Sequence, residues 1–348
     1  MPEVGRKPPF DDGDIPTDHL AVSVRAYVTL APDKKAEKKS KTKSRDAFDF
    51  EFGRQLPSDW VLVFDCETRT TPDQSLKFGT YQLRHKGRPQ ERGAFYDPDM
   101  LTPHELAVLQ TYLDNEEPSD AGEKIRLRTR DDFVRTIFYG RAYQVGGQIV
   151  GFNLPFDISR LALRHVDARG VIMGGGFTFH LIDDESLPPV SVKHLSQRTS
   201  FIRFRGLRPK TNRLVDDDDF DFEAPPSWDR GCFVDVKTLA AALLSESHTL
   251  ESLSGLLKIA HEKEATRDHG KTITPDYVRY AMNDVQATWE CYDALNKQFK
   301  ALSLGDTGAY ELYSEASLGK AYLKTMNIKP WLDLQPDYSP ERIGQPIA

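Results

Sequence analysis

Cysteine is scarce in this chain. Three residues in 348, Cys66, Cys232 and Cys291, make an odd count with no C-x-x-C pair. That argues against a disulfide framework and against a structural zinc site; it suits a reducing cytosol, so a cytoplasmic location is expected. Long hydrophobic runs are missing too. None approaches the roughly 18 residues of a membrane-crossing helix, and the first ten residues lack the apolar core of a signal peptide. No internal repeat is visible. Nor is there a basic excess: 53 acidic against 46 basic residues leave a formal charge of -7. Proteins that coat a duplex present a basic face instead, although local basic patches can still guide a strand into an acidic site. What remains is an ordinary globular balance, 39% hydrophobic and 10% aromatic. It is long enough for one large domain with extensions or for two smaller ones.

Residues 1–56 read as an N-terminal extension. Lys34, Lys35, Lys38, Lys39, Lys41, Lys43 and Arg45 crowd a stretch with almost no apolar content, as expected of a solvated tail or of a basic arm for phosphates. The folded core is expected from Trp60. Val61–Phe64 is a continuous apolar run, as in a strand buried on both faces, and 78–84 and 94–96 fit neighbouring strands. Thr102 followed by Pro103 opens a helix to Leu113. A second helix is expected over 131–143, with Phe133, Ile137, Phe138 and Ala142 on one side. A short strand at 149–152 leads to a helix over 155–165. Residues 171–222 break the pattern: they read as a β-rich insertion carrying Lys193, Arg198, Arg203, Arg205, Arg208, Lys210 and Arg213, then an acidic loop, Asp216–Asp219. A strand at 232–236 and helices at 239–244 and 250–259 follow. Thr274 and Pro275 start the last long helix, with Tyr277, Ala281, Val285, Thr288, Tyr292, Leu295 and Phe299 at helical spacing. Strands alternating with helices imply an α/β sheet.

Several acids sit beside or inside these apolar elements, where an unpaired charge is expensive. Asp65 and Glu67 occur in VLVFDCET (61–68); on a strand they share one face while Cys66 points to the other, as a small buried hydrophobe. Asp157 occurs in VGFNLPFDISRL (150–161), where it could also accept amides at a helix start. Asn153 there is at a natural cap position, and Phe156 has the ordinary reading of a core residue. Tyr280 and Asp284 occur in YVRYAMNDVQATW (277–289), four apart on one helix face; a partly exposed hydrogen-bonded pair is the plain alternative. His248, His261 and His269 lie in a polar stretch whose spacing matches no zinc motif, and read as surface histidines.

Taken together, D-x-E-T on a strand, N-x-x-F-D at a strand–helix junction and Y-x-x-x-D on a late helix resemble the DEDD 3′–5′ exonucleases. The tyrosine marks the DEDDy variant; a histidine in place of Tyr280 would point to the other branch. The likeness is closest to the proofreading domains of family B DNA polymerases. It spans about residues 58–300 and is strengthened by HTLESLSGLL (248–257). LYSEASLGKAY (312–322) is similar to the lead-in that follows such a domain, so 301–348 is expected to be a polymerase-like lead-in segment. The chain then leaves no room for a palm domain, and polymerisation is not expected of it; a piece of a longer polymerase-like protein is one alternative.

The resemblance implies an α/β, RNase H-like fold over 57–300, with a mixed central sheet flanked by helices; the basic insertion is not part of that core. It implies that Asp65, Glu67, Asp157 and Asp284 hold two divalent cations, Mg²⁺ or Mn²⁺, about 3.5–4 Å apart, across the scissile phosphodiester. Tyr280, with Glu67, would orient the attacking water. A free phenol, with a pKa of about 10, is a poor base at neutral pH, so its expected role is positioning. The backbone near Thr68 and the Phe156 ring would hold the terminal nucleotide, and Asn153 the strand behind it. Stacking on an aromatic ring tolerates every base. The expected partner is single-stranded nucleic acid, DNA first and RNA next. A non-catalytic binding module of a larger assembly is the rival from another class.

Overall fold

The computed structural model describes residues 56–169, 173–205, 231–261, 263 and 270–328. The Lys-rich stretch 34–45, Arg208, Lys210, Arg213, the run Asp216–Asp219 and His269 lie outside the described residues. Every element named below lies within one compact unit, Lys43–Thr325.

The chain is mixed α/β, with a mixed central sheet flanked by helices. Its first three strands, β1 (Trp60–Thr68), β2 (Leu76–His85) and β3 (Arg88–Tyr96), form an antiparallel meander. Helix α1 (Pro103–Asp114) then crosses to β4 (Lys124–Thr129), parallel to β3. Next come β5 (Gln148–Gly151) and β10 (Cys232–Asp235), which add in parallel on the far side of β1, giving the order β10-β5-β1-β2-β3-β4. Between them lie α2 (Leu154–Leu161) and a four-stranded antiparallel sheet, β6 (Arg164–Asp167), β7 (Phe177–His180), β8 (Val190–His194) and β9 (Ser200–Phe204). After β10 follow α3 (Val236–Leu244), α4 (Leu250–Leu257), α5 (Pro275–Ala301) and α6 (Glu315–Thr325). Among the described residues no helix is long and apolar enough to cross a membrane.

β1 is the hinge of the packing because it is buried on both faces. Leu62, Phe64 and Cys66 point into one cluster, where Phe95 stacks on Phe133 at 4.0 Å and 8°. Val61 and Val63 point into a second cluster with Val285 and Leu295 of α5 and Leu253 of α4. Strand alternation therefore carries Asp65 and Glu67 to the α5 side. Gly79, paired with Cys66 across the ladder, is required here: a Cβ would lie 2.3 Å from the Phe95 ring and 2.6 Å from the Asp65 carbonyl. The end of β1 is irregular, with a register shift between Glu67 and Thr68, a common device for re-aiming side chains beside a site. Leu304, Ala309, Leu312 and Ala321, beyond α5, pack into the same cluster as Val63.

Capping sets several boundaries. The Thr102 hydroxyl accepts the Glu105 amide while the Glu105 carboxylate accepts the Thr102 amide, a closed box at the start of α1. Thr274 caps α5 through the Tyr277 amide, with Pro275 behind it. Other boundaries differ from the sequence reading. Over 131–143 the chain makes one turn of α-helix (Arg130–Asp132) and then a π-helix (Phe133–Tyr143). Its buried side chains include Phe133, Phe138 and Tyr143, and Val134 and Tyr139, five apart; Gln144 N–H reaches Tyr139 O and Gly147 N–H reaches Ala142 O, the i→i−5 pattern. The helix expected over 155–165 stops at Leu161, because Ala162 turns extended and 164–167 pair with β7. That pairing gives the insertion a strand that begins before residue 171. Finally, α3 starts at Val236, not at 239, because the Asp235 side chain caps it there.

Candidate active site

Three separate elements bring the acids together. Asp65 and Glu67 end β1; Asp157, in the first turn of α2, is 1% exposed; and Asp284, about a third of the way along α5, is 4% exposed. The junction between β1 and α2 is a direct bond: the Cys66 amide donates to Asp157 Oδ1 at 3.0 Å. The junction between β1 and α5 is another, from the Tyr277 hydroxyl to Glu67 Oε2 at 2.7 Å. Thr80 of β2 helps seat α5, its hydroxyl donating to Ala281 O at 2.8 Å.

The electrostatics show how tightly these groups share space. Asp65 is half-buried as a residue, with its carboxyl enclosed. Burial raises its pKa well above the ordinary value, and the negative charges of Asp157, Glu67 and Asp284 raise it further, against a smaller lowering by Lys263. Burial also pushes Asp157 well up, partly offset by the Cys66 amide and reinforced by Asp235 and Glu67. Burial pushes Asp284 up as well, opposed by Lys263 and by a hydrogen bond with Tyr280. The Tyr280 phenol is raised by burial first and then by Asp284. Clustered buried carboxyls behave this way when neighbouring charge and lost hydration both favour the proton.

A cation sits among them. Lys263 Nζ lies 2.9 Å from Asp284 Oδ2 and 5.5 Å from the centre of the Tyr280 ring. Nothing in the sequence singled out Lys263, because it lies in a polar run with ordinary surface composition. Tyr277 was also missed; its helical spacing assigned it to the apolar stripe, and its ring does pack there, edge-on to Phe78 at 5.2 Å, while its hydroxyl holds Glu67. The partly exposed pair expected as the alternative for Tyr280 and Asp284 is not found: both are buried.

The residues expected at the substrate are distributed around this cluster. Thr68 is half-buried at the bulged end of β1. Phe156 is half-buried on α2, with the Arg160 guanidinium 5.0 Å over its ring; Arg160 Nη1 also donates to the carbonyls of Asp73 and Gln74, tying the loop after β1 to α2. Asn153 does not cap α2 with its side chain, as the sequence led one to expect. Its backbone is left-handed, at φ 69°, a conformation asparagine tolerates better than most residues. The cap is Asp235, which the sequence pattern places inside a strand at 232–236. Its Oδ1 accepts the amides of Asn153 (2.7 Å) and Leu154 (3.2 Å), and its Oδ2 accepts the amide (3.2 Å) and hydroxyl (2.6 Å) of Thr238. One carboxylate thus starts both α2 and α3.

Chemically, the donor set suits a hard divalent cation: all four acids offer oxygen, and Asp284 Oδ1 is buried with no hydrogen-bond partner. Their arrangement is less gathered than a coordination shell. Among the described residues no three His, Cys, Asp or Glu side chains stand together as metal ligands, because Asp157, Glu67 and Asp284 are each drawn to a neighbouring amide, phenol or ammonium.

No protein-family model matches the chain, and no curated protein matches it. Among solved structures, it is similar to "Phi29 DNA polymerase complexed with single-stranded DNA" at 13% identity and a TM-score of 0.36, over 77% of this chain and 35% of that one. The chain therefore spans about a third of the length of that polymerase chain. A likeness of that size fixes neither fold nor function.

Proposed function

We propose that this chain is a metal-dependent 3′–5′ exonuclease of RNase H-like architecture that shortens single-stranded nucleic acid, DNA first, and releases nucleoside 5′-monophosphates. The observation that carries the reading is the junction of three elements at the acids: Asp157 Oδ1 accepts the Cys66 amide between Asp65 and Glu67, and Glu67 Oε2 accepts the Tyr277 hydroxyl of α5, the helix that bears Asp284; burial first, and then Asp157, Glu67 and Asp284, raise the Asp65 carboxyl. Acids from β1, α2 and α5 share one enclosed neighbourhood, and like charges out of water call for a cation or a proton. Asp65, Glu67, Asp157 and Asp284 would hold two Mg²⁺ or Mn²⁺ ions. When bound, such a pair supplies an activated water and stabilises the leaving 3′ oxygen.

The remaining work belongs to the chain's own residues. Tyr280 is unsuited to taking a proton, since burial and Asp284 both push its phenol up; held by Asp284, it orients the water. Tyr277 fixes the Glu67 carboxylate. Lys263 offsets part of the charge at Asp284. Phe156 offers a face for the terminal base, the backbone at Thr68 holds its sugar side, and Asn153 borders the strand behind it.

The test is a 5′-labelled single strand with Mg²⁺. Wild type should shorten it in single-nucleotide steps, whereas Asp65→Ala and Asp157→Ala, folded by circular dichroism, should leave it intact. A 3′-phosphate block separates end trimming from internal cutting, and RNA beside DNA reads the sugar preference. Equal inertness of wild type and Asp157→Ala on both substrates would remove the proposal. One observation favours a second reading, a non-catalytic nucleic-acid-binding module: the described acids are not gathered as metal ligands. Retention of the strand in a gel-shift assay without any shortening supports that reading instead.

A further inference from the structure

Lys263 reaches the acid cluster from the polar stretch between α4 and α5. Its amide makes one long bond, 3.4 Å, to the Ser254 hydroxyl. Two residues earlier, His261 is gripped far more firmly. Glu290 of α5 accepts the His261 amide through Oε2 at 3.0 Å and engages the imidazole Nδ1 through Oε1 at 2.6 Å. The two oxygens of one carboxylate thus hold two polar groups of one residue, a two-point contact that fixes orientation as well as distance. His261 is otherwise a surface residue, with its side chain 54% exposed, while Glu290 is 18% exposed.

Glu290 is itself braced. Gln286 Nε2 donates to Glu290 Oε1 at 2.7 Å, and Gln286 Oε1 accepts from Gln82 (2.9 Å) and Arg84 (3.0 Å) of β2. The Arg84 guanidinium lies over the Trp289 ring at 4.5 Å, adjacent to Glu290 on α5. The row runs from the central sheet through α5 to His261. Asp284 and Glu290 are six residues apart on the helix, about 9 Å along its axis, and two residues of chain reach at most about 7 Å. With the backbone pinned at Glu290, the long lysine side chain covers the remaining distance to Asp284.

We propose that Glu290 is a positioning residue: by clamping His261 it delivers the Lys263 ammonium to Asp284 Oδ2 and the Tyr280 ring. Its importance for turnover rests on the nuclease reading above; the clamp itself does not. The consequence for the site is direct, because Lys263 is the cation that the Asp65 and Asp284 carboxyls both feel. Displacing a positioned group by about 1 Å can cost on the order of a hundredfold in rate.

The experiment compares wild type with Glu290→Gln, which keeps the shape but replaces one acceptor oxygen by a donor, and with His261→Ala, a change at an exposed side chain, each checked for folding by circular dichroism. Reductive methylation of Lys263, read by mass spectrometry, reports whether its ammonium is held. Strand shortening reports turnover. Glu290→Gln should label at Lys263 several-fold faster and should lose kcat about ten- to hundredfold with KM little changed. His261→Ala should do both to a smaller degree, and the double variant should be no worse than Glu290→Gln alone. Restoration of the slow labelling in His261→Asn, whose amide can again donate to Glu290, supports the clamp. Unchanged labelling in Glu290→Gln overturns it, whatever the activity. Faster labelling with unchanged turnover overturns the role in positioning for the reaction. Faster labelling in a protein whose wild type shortens nothing supports the clamp and sinks the nuclease reading alone.

Discussion

Two carboxylate neighbourhoods beside α5 invite comparison. Next to the start of that helix, Glu105 of α1 is satisfied by several donors: Lys77 lies 2.6 Å away, Thr102 closes the capping box, and the Ile273 amide donates at 3.2 Å. Burial acts to raise this carboxyl, but the hydrogen bonds of Lys77 and Thr102 outweigh it and hold it down at about 2. Two to three turns further on, Asp284 shares its space with Asp65, Asp157 and Glu67, and the same loss of water leaves Asp65, Asp157 and Asp284 raised. Burial is common to both places. What differs is whether positive donors accompany the charge. A carboxylate with its donors built in holds the fold together; several with few donors form a place that gains by binding something.

This contrast can be broken by mutation. The largest stability effect is expected from Lys77→Met, which strands the buried Glu105 charge. It should cost about 3–5 kcal/mol in urea unfolding at neutral pH, as broken buried pairs do. Smaller, and opposite in sign, Asp65→Asn should raise the unfolding midpoint in the absence of divalent ions, because it removes one of several mutually repelling charges. Added Mg²⁺ should stabilise wild type and leave Asp65→Asn nearly unmoved. Equal destabilisation by both substitutions would erase the distinction between the two sites.

The pH dependence sharpens the comparison further. Glu105 has a folded pKa below its unfolded one, so its contribution is fully present above the ordinary glutamate range, near pH 4.3, and is lost as pH falls towards about 2. Glu105→Gln should therefore show a flatter stability profile across that window. Asp65 has a folded pKa above its unfolded one. The folded chain binds that proton more tightly, so stability is lost as pH rises from the ordinary aspartate range through the raised value. Asp65→Asn should flatten this upper part and leave the acid limb alone. Urea midpoints measured from pH 2 to 8 separate the two limbs.

Much of the scaffold was legible because single residues carry unambiguous physics. Thr102–Pro103 and Thr274–Pro275 marked two helix starts, and the apolar run Val61–Phe64 marked a strand buried on both faces. The π-helix was not legible, since spacings of four and five mix within Phe133–Tyr143 and read as an ordinary helix. The early end of α2 was hidden because Ala162 and Leu163 are good helix formers, and only pairing of 164–167 with β7 overrides them. Around the candidate site, alternation along β1 and the four-residue spacing of Tyr280 and Asp284 located side chains on faces. Their neighbours Lys263, Tyr277 and Asp235 come from long-range contacts that no local pattern encodes.

The double cap at Asp235 has a consequence for how the molecule comes apart. Among the described residues β10 is an edge strand, paired on one side only, and edges open more readily than centres. Once it detaches, α2 loses the acceptor at its first turn, and Asp157 drifts from Cys66 while β1 and β2 are still zipped. Heating should thus separate the acids well below the temperature at which the aromatic interior melts, with amides 153 and 154 exchanging early and those of Leu62–Phe64 late.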